Sequence, residues 1–385
     1  MRVLSILLIL IPSITPLSLP PVNRRTVLAS PLTLLIEPSS PIEPSSPLPP
    51  PPSPNNKSVL ITGASSGIGY DATLRFIRDG YKLYLSTRDA DKTSLLLERI
   101  KKEFNGALED GQVVGGCCDL GSFGSIESYV STLQSSTAVK DKGFDIVCLN
   151  AGLARNIKDF SVSRTREGFE GTVGVNHFGH FKLISSGVGS MVERGGGGRV
   201  VVTASGVHDP DSPGGKQGSP ATLGGLEGLE RVGRECEMVD GGEYNPDKAY
   251  KDSKLCNVFF GREYQRRLEE RGVKNVLVNS FTPGLIVGTG LFRDQNPVFT
   301  KLFDVAATDV FKVGESVKWG GGALHYMATE GGIGKGGLYY GAKPGASRGG
   351  EGAYGTTFNV DGVSREVREG EGKQRRLWEL SEKLM

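Results

Sequence analysis

The chain has 385 residues, with 45 Lys and Arg against 43 Asp and Glu, a formal net charge of +2 and a pI near 8.2. That balance lacks the basic footprint of a nucleic-acid binder. Glycine is abundant at 55 residues, but its clusters have no collagen or solenoid period. The five cysteines are odd in number and irregularly spaced, which argues against a disulfide framework.

The opening stretch, MRVLSILLILIPSITPLSLPP, has one early arginine and a short apolar run broken by Pro12. It is too short to span a membrane and suits a secretory h-region. VNRRTVLASPLTLL follows, basic and hydroxyl-bearing, with no acidic residue before Glu37. A signal-like part followed by a transit-like part reads as a bipartite plastid address over residues 1–37. A mitochondrial presequence, plain secretion and a membrane anchor stay open on these residues alone. Residues 38–54 are proline and serine with almost nothing to bury, and read as an extended linker. Residues 55–385 are then one folded domain.

The domain opens with Val59 to Ile61, a short apolar run typical of a buried parallel strand. Thr62-Gly63-Ala64-Ser65-Ser66-Gly67-Ile68-Gly69 follows, then a helical pattern to Asp79 that Gly80 ends, and a second strand from Tyr81 to Ser86. Glycines at such a strand-to-helix turn let backbone approach a pyrophosphate, which the helix N-terminus attracts. The spacing is GxxxGxG. After the second strand, where an acidic residue would read a ribose 2′-hydroxyl, stand Ser86-Thr87-Arg88. A guanidinium with a hydroxyl beside it suits a 2′-phosphate, and so NADP rather than NAD. Asp89 competes for the same guanidinium.

A third strand precedes Asp119. A fourth, Asp145 to Leu149, ends at Asn150-Ala151-Gly152; a fifth ends at Ser205 and a sixth at Pro283-Gly284. Strands alternating with helices predict an α/β, Rossmann-type, doubly wound parallel sheet. Its ligands bind beyond the carboxyl ends of the strands. Those ends carry Gly63, Arg88, Asp119, Asn150, Ser205 and Pro283. His177 and His180 form an HxxH without a third ligand spaced to complete a metal site, so no metal is expected. In AYKDSKLCN, residues 249–257, Tyr250 and Lys254 are four apart and share a helix face. Alone, such a pair is as easily an ordinary amphipathic turn.

In order along the chain, TGASSGIG, the DL at 119, NAG at 150, VNHFGHF at 175, TAS at 203, YKDSK at 250 and PG at 283 resemble the short-chain dehydrogenase/reductase pattern. The resemblance covers nearly all of residues 57–290. It implies an NADPH site along Gly63, Ser65, Ser66, Gly67, Ile68, Gly69, Arg88, Asp119, Leu120, Asn150, Ala151 and Gly152, continued by Tyr250, Lys254, Pro283 and Gly284. It implies a catalytic set of Asn176, Ser205, Tyr250 and Lys254. The residue types suit reduction by hydride and proton transfer. A free tyrosine holds its proton at neutral pH with a pKa of about 10. A nearby ammonium stabilises the phenolate and lowers that value. Ser205 can orient substrate, and Asn176 can hold a water that relays protons to Lys254.

ATLGGLEGL, MVDGGEYNPDKAYKDSKLCN, PGLIVGTGLFRDQNPVF and the closing RRLWELSEKL further resemble the light-dependent protochlorophyllide oxidoreductases. That resemblance implies NADPH-dependent reduction of a pigment-like apolar small molecule in a plastid. Association with a thylakoid or envelope membrane and oligomer formation are compatible with it. The chain departs from that group at Leu285, where a cysteine is usual, at Asn150-Ala151-Gly152 in place of Asn-Ala-Ala, and in the glycine-rich 207–221 region. Leu285 removes a thiol from the place where pigment geometry and proton supply are tuned, and leaves the tyrosine–lysine pair intact. An alternative is a dark reductase of a retinal-like or other apolar carbonyl compound. In either case Phe292 and the apolar residues from Val298 to Phe311 would line the pocket. A nucleotide- or pigment-binding protein without turnover is a third reading, against which the complete Asn-Ser-Tyr-Lys set argues.

Overall fold

A computed structural model describes residues 55–286, 314–350 and 354–385. The leader, the linker up to Pro54, and the run from Phe292 to Phe311 lie outside the described residues. The strands are β1 (Ser58–Thr62), β2 (Lys82–Thr87), β3 (Val113–Cys117), β4 (Ile146–Leu149), β5 (Gly198–Thr203), β6 (Val276–Phe281), β7 (Tyr339–Gly341) and β8 (Asn359–Val360). They form one sheet in the order β3-β2-β1-β4-β5-β6-β7-β8. Every pair is parallel except β7 with β8. Val59, Leu60 and Ile61 are fully buried, as a strand covered on both faces requires.

The expected α/β Rossmann-type sheet is therefore present, with the order reversing between β1 and β4. At that reversal the connections leave in opposite directions and open a crevice. The fifth and sixth strands end two and three residues earlier than the sequence suggests. Ala204 N donates to Phe281 O at 2.8 Å, and beyond it Pro283 has no N–H to continue the ladder. Ser205 instead caps the turn Gly206–His208. The short β7 and β8 have no counterpart in the sequence reading.

Helices α1 (Gly67–Arg78), α2 (Ala90–Glu103) and α3 (Phe123–Ser135) follow the first three strands. Helix α4 occupies residues 171–194 and is irregular, with π turns at Gly174–Gly179 and Ile184–Val188. Helix α5 (Pro246–Glu270) starts where Asn245 Oδ1 accepts from Lys248 N at 2.9 Å, with proline in its first turn. Helix α6 (Val317–Thr329) packs on α1, and α7 (Glu371–Lys383) packs on α5.

Two contacts fix these layers. A Cβ on Gly321 of α6 would come 2.7 Å from Asp71 Cγ of α1, so glycine sets how closely the two helices meet. On the other side, the Trp378 ring of α7 stacks on Phe260 of α5 at 5.6 Å and meets Phe181 of α4 edge-on at 4.6 Å. Such pairs contribute about 0.5–1.5 kcal/mol each beyond their buried area.

Candidate active site

The loop after β1 and the loop after β4 touch at the crevice. Gly63 has φ +71°, and a Cβ there would lie 2.8 Å from Ala151 Cα. A Cβ on Gly69 would lie 2.7 Å from Asn150 Nδ2. Thr62 ties the loops together: its Oγ1 accepts from Asn150 N at 2.9 Å and Ala151 N at 3.0 Å. Asn150 Nδ2 in turn donates to Thr62 O at 3.2 Å, and Thr203 Oγ1 donates to Asn150 Oδ1 at 3.3 Å. Gly152 faces Asn176 and Lys254: a Cβ there would sit 3.3 Å from Asn176 Oδ1 and 3.5 Å from Lys254 Nζ.

Ser66 is the extended N-cap residue of α1, and its side chain makes no capping bond. The first-turn N–H groups, from Gly67 and Ile68 onward, therefore keep the unpaired donors that suit a phosphate. Ser65 is half-buried and Ser66 exposed beside them. This glycine cradle at a helix N-terminus fits a dinucleotide pyrophosphate.

At the end of β2, Arg88 is exposed and its Nε lies 3.6 Å from Asp89 Oδ2. The expected competition from Asp89 exists but is loose. Asp89 also caps α2 by accepting from Lys92 N at 2.9 Å and pairs with Lys92 Nζ at 3.2 Å. Its carboxyl is held below the usual value chiefly by the Lys92 amide. The hydroxyl expected beside Arg88 is turned away: Thr87 is buried and its Oγ1 donates to Asp89 O at 2.9 Å. Asp119 lies beyond β3, where its Oδ1 accepts from Gly121 N at 3.0 Å. Leu120 is buried against α4, and a Cβ on Gly179 would come 2.7 Å from Leu120 Cβ.

The four expected catalytic residues converge beyond β4 and β5. Tyr250 and Lys254 lie one turn apart on α5, with Lys254 Nζ 5.6 Å from the centre of the Tyr250 ring. Lys254 is buried and donates to Thr203 O at 3.1 Å, at the last residue of β5. Burial lowers its pKa to about 8. Burial pushes the Tyr250 phenol well above its ordinary value, and a hydrogen bond with the Ser205 side chain opposes this. The lowering by Lys254 expected from the sequence is not found: in this arrangement the ammonium is turned to a carbonyl, and desolvation dominates the phenol.

Asn176 lies in the first π turn of α4. Its Oδ1 accepts from Leu153 N at 2.9 Å, and its Nδ2 donates to Leu153 O and Ser253 Oγ, both at 2.9 Å. Ser253 Oγ donates onward to Tyr250 O at 2.6 Å. Both amide hydrogens are thus committed, and one Oδ1 lone pair is left to serve the expected water. Pro283 is buried, Gly284 takes φ +87°, and Leu285 is 36% exposed. The Leu285 backbone is held by Glu315 N, which donates to its carbonyl at 2.8 Å.

Sequence reasoning passed over Thr62, Thr203 and Ser253, although each sits inside a quoted motif. A small hydroxyl at a strand end or one turn from a catalytic residue was the available signal. It also passed over the cations flanking Tyr250. Lys248 Nζ holds Thr222 O at 2.9 Å, Asp240 at 2.8 Å and Asp252 at 2.5 Å. Lys251 Nζ holds Ser219 O at 3.0 Å and Asp247 at 2.7 Å, and also bonds Gln217 O. Together they pin the long β5–α5 connection beside the site. His177 and His180 take separate partners, Ser381 Oγ at 3.0 Å for the first and Thr62 Oγ1 at 2.9 Å for the second. All five cysteines are free, Cys117 exposed and Cys118 buried beside it.

The model of the short chain dehydrogenase family matches residues 57–217. The chain is 31% identical over 333 residues to the chloroplastic protochlorophyllide reductase of Cucumis sativus, covering 85% of this chain and 77% of that protein. It is 30% identical to the chloroplastic protochlorophyllide reductase B of Oryza sativa subsp. japonica, covering 87% and 80%. Among solved structures, L-sorbose reductase from Gluconobacter frateurii, complexed with NADPH and L-sorbose, aligns with a TM-score of 0.51 at 20% identity, covering 77% of this chain and 97% of that one. An uncharacterized protein from Mycobacterium Paratuberculosis aligns at 0.57 and 23% identity, covering 86% and 94%. These structural likenesses bear on the fold alone. The chain belongs to the short-chain dehydrogenase/reductase family. It is accordingly an oxidoreductase, and its cofactor is NADPH.

Proposed function

We propose that the chain reduces a ring double bond of a protochlorophyllide-like pigment in a plastid, with Tyr250 as the proton donor. The observation that carries the reduction is the junction of Tyr250, Ser205, Lys254 and Asn176 at the β4 and β5 ends, beside the glycine cradle. The pigment is supported by the names of relatives that match most of the chain. On this reading Gly63, Ser65 to Gly69, Asn150 to Gly152, Pro283 and Gly284 hold the nicotinamide half and pyrophosphate. Arg88 takes the 2′-phosphate, and Asp119 with Leu120 borders the adenine. When bound, NADPH supplies the hydride.

The chain's own residues handle the proton. Burial keeps the Tyr250 phenol protonated at neutral pH, so it enters the reaction as an acid. Ser205 bonds that phenol and orients it. With a pKa of about 8, Lys254 is mostly protonated at neutral pH and offsets the phenolate charge after transfer. Asn176 clamps the Asn150–Leu153 loop to α4. In the same reading, residues 1–37 direct the chain to the plastid and residues 38–54 link that segment to the domain at 55–385.

Leu285 favours a second reading, a dark reductase of an apolar carbonyl compound, because an alkyl side chain stands at the edge of the site. The test supplies the purified chain with NADPH and protochlorophyllide, in light and in darkness, and follows pigment absorbance. Product only under illumination upholds the first reading. NADPH oxidation in darkness with a retinal-like aldehyde upholds the second, and NADPH binding without reduction of either substrate overturns both.

A further inference from the structure

The π turn around Asn176 has an unusual acceptor. In a regular helix the His180 N–H would donate to Asn176 O, four residues back. Here the His180 N–H goes to His177 O, three residues back. The Asn176 carbonyl is instead met by the ring of the same residue, His180 Nδ1, at 3.1 Å. A carbonyl can only accept, so Nδ1 carries the ring proton and Nε2 is an acceptor. The partner of Nε2 is Thr62 Oγ1 at 2.9 Å, whose hydroxyl donates there at shorter range than to its other acceptor, Cys148 O at 3.3 Å. That oxygen already accepts from Asn150 N and Ala151 N.

One chain of bonds thus runs from the cofactor cradle to the catalytic helix. It passes from the Asn150 and Ala151 amides to Thr62, then His180, then Asn176, then Ser253, then the Tyr250 backbone. The His180 ring is 2% exposed. Burial holds it well below the ordinary imidazole value, at about 4; the Asn176 bond opposes this and nearby Lys254 adds to it. The ring is neutral at working pH and is no acid or base in turnover.

We propose that His180 is a positioning residue that locks the Asn176 π turn to the cofactor cradle through Thr62. The proposal rests on the assignment of Asn176 and Tyr250 to the reaction. Without the ring, the Asn176 carbonyl loses this side-chain donor, the turn loses its tie to Thr62, and the Asn176 amide shifts from Leu153 and Ser253. Thr62 keeps its two amide donors, so the cradle itself persists.

The test uses the full chain labelled with 15N-histidine, together with His180→Asn, His180→Phe and Thr62→Val. Asparagine can reproduce the Nδ1 donor toward the carbonyl four residues back; phenylalanine keeps only the bulk. In long-range 1H–15N spectra, the resonance pair lost in both His180 variants should show the Nδ1-protonated neutral tautomer, unchanged between pH 5 and 9. Thr62→Val should move its Nε2 signal most. NADPH affinity should stay within about 3-fold in both His180 variants, while His180→Phe loses roughly 20-fold or more in turnover and His180→Asn recovers most of it. An Nε2-protonated or pH-responsive ring overturns the proposal. So does wild-type turnover in His180→Phe, or an equal loss in the asparagine variant at matched thermal stability. The tautomer is read without substrate, so a wild-type chain inactive on the pigment would count against the proposed function and leave this result standing.

Discussion

Tyr250 must hold its proton until the substrate is in place and then release it beside a positive charge. Burial supplies the first condition, and Ser205 with Lys254 the second. Tyr250→Phe removes one oxygen and leaves the α5 packing in place. Product formation should fall about 100-fold or more, with NADPH affinity nearly unchanged by fluorescence titration. Undiminished turnover would sink the assignment. Arg88 is argued differently, because it is exposed and only loosely paired with Asp89. Arg88→Ala should raise the dissociation constant for NADPH roughly 10-fold, the scale of one lost charge-assisted contact, and leave NADH almost untouched. Equal losses for both nucleotides would count against a 2′-phosphate role. Arg88 and Ser205 were legible because each follows a strand end, and Tyr250 with Lys254 because their four-residue spacing shares a helix face. Their bonding was not: that Thr87 turns inward, or that Lys254 reaches Thr203 O, depends on side-chain directions that spacing does not carry.

Helices α1 and α6 are 243 residues apart at the Arg75 Nη2 to Lys318 O bond of 3.0 Å, yet lie in contact. Trp319-Gly320-Gly321-Gly322 makes that approach possible, since a Cβ at Gly321 would meet Asp71. Gly321→Leu should therefore lower stability by about 1–3 kcal/mol, the range for overpacking, read as a drop in the urea midpoint with the slope unchanged. A neutral result would mean that the helices are free to separate. Parallel strands β1, β2, β4, β5 and β6 were legible because a strand covered on both faces is a continuous apolar run. Strands β7 and β8, of three and two residues, are too short to have a pattern of their own and exist only by pairing with what precedes them. The π turns of α4 were equally invisible, since VNHFGH fits an ordinary helix until the His180 ring is seen bonded to the Asn176 carbonyl.

Across the whole molecule, buried imidazoles tie stability to pH, with His177 and His180 shifted furthest and His208 lowered by burial as well. Burial lowers His177 to about 3, with His180 adding to it, and His180 to about 4. Unfolded imidazoles titrate near 6.5, so between about pH 6.5 and 4 the unfolded chain binds more protons than the folded one. Stability contributed by these groups is complete above that window and is lost as pH falls through it. Urea unfolding should lose on the order of 3 kcal/mol between pH 7 and pH 5 from these two rings. A profile that falls markedly less in His177→Asn/His180→Asn than in the wild type assigns the difference to them, His208 supplying part of the remaining slope; parallel profiles in both would refute it.

The seating of α7 on α5 has a consequence for how the chain reaches this state. His177 bonds Ser381, and Phe181 and Phe260 are closed over by Trp378, about 200 and 120 residues away in sequence. Contacts that distant form late, since loop closure must precede any return from them. A growing chain that already holds β1 to β6 still exposes an aromatic face along α4 and α5 until residues 371–383 emerge from the ribosome. During that interval the face is open to chaperones and to aggregation. The enzyme's exposure to misassembly is thus set by the delay between synthesis of Tyr250 and synthesis of Trp378.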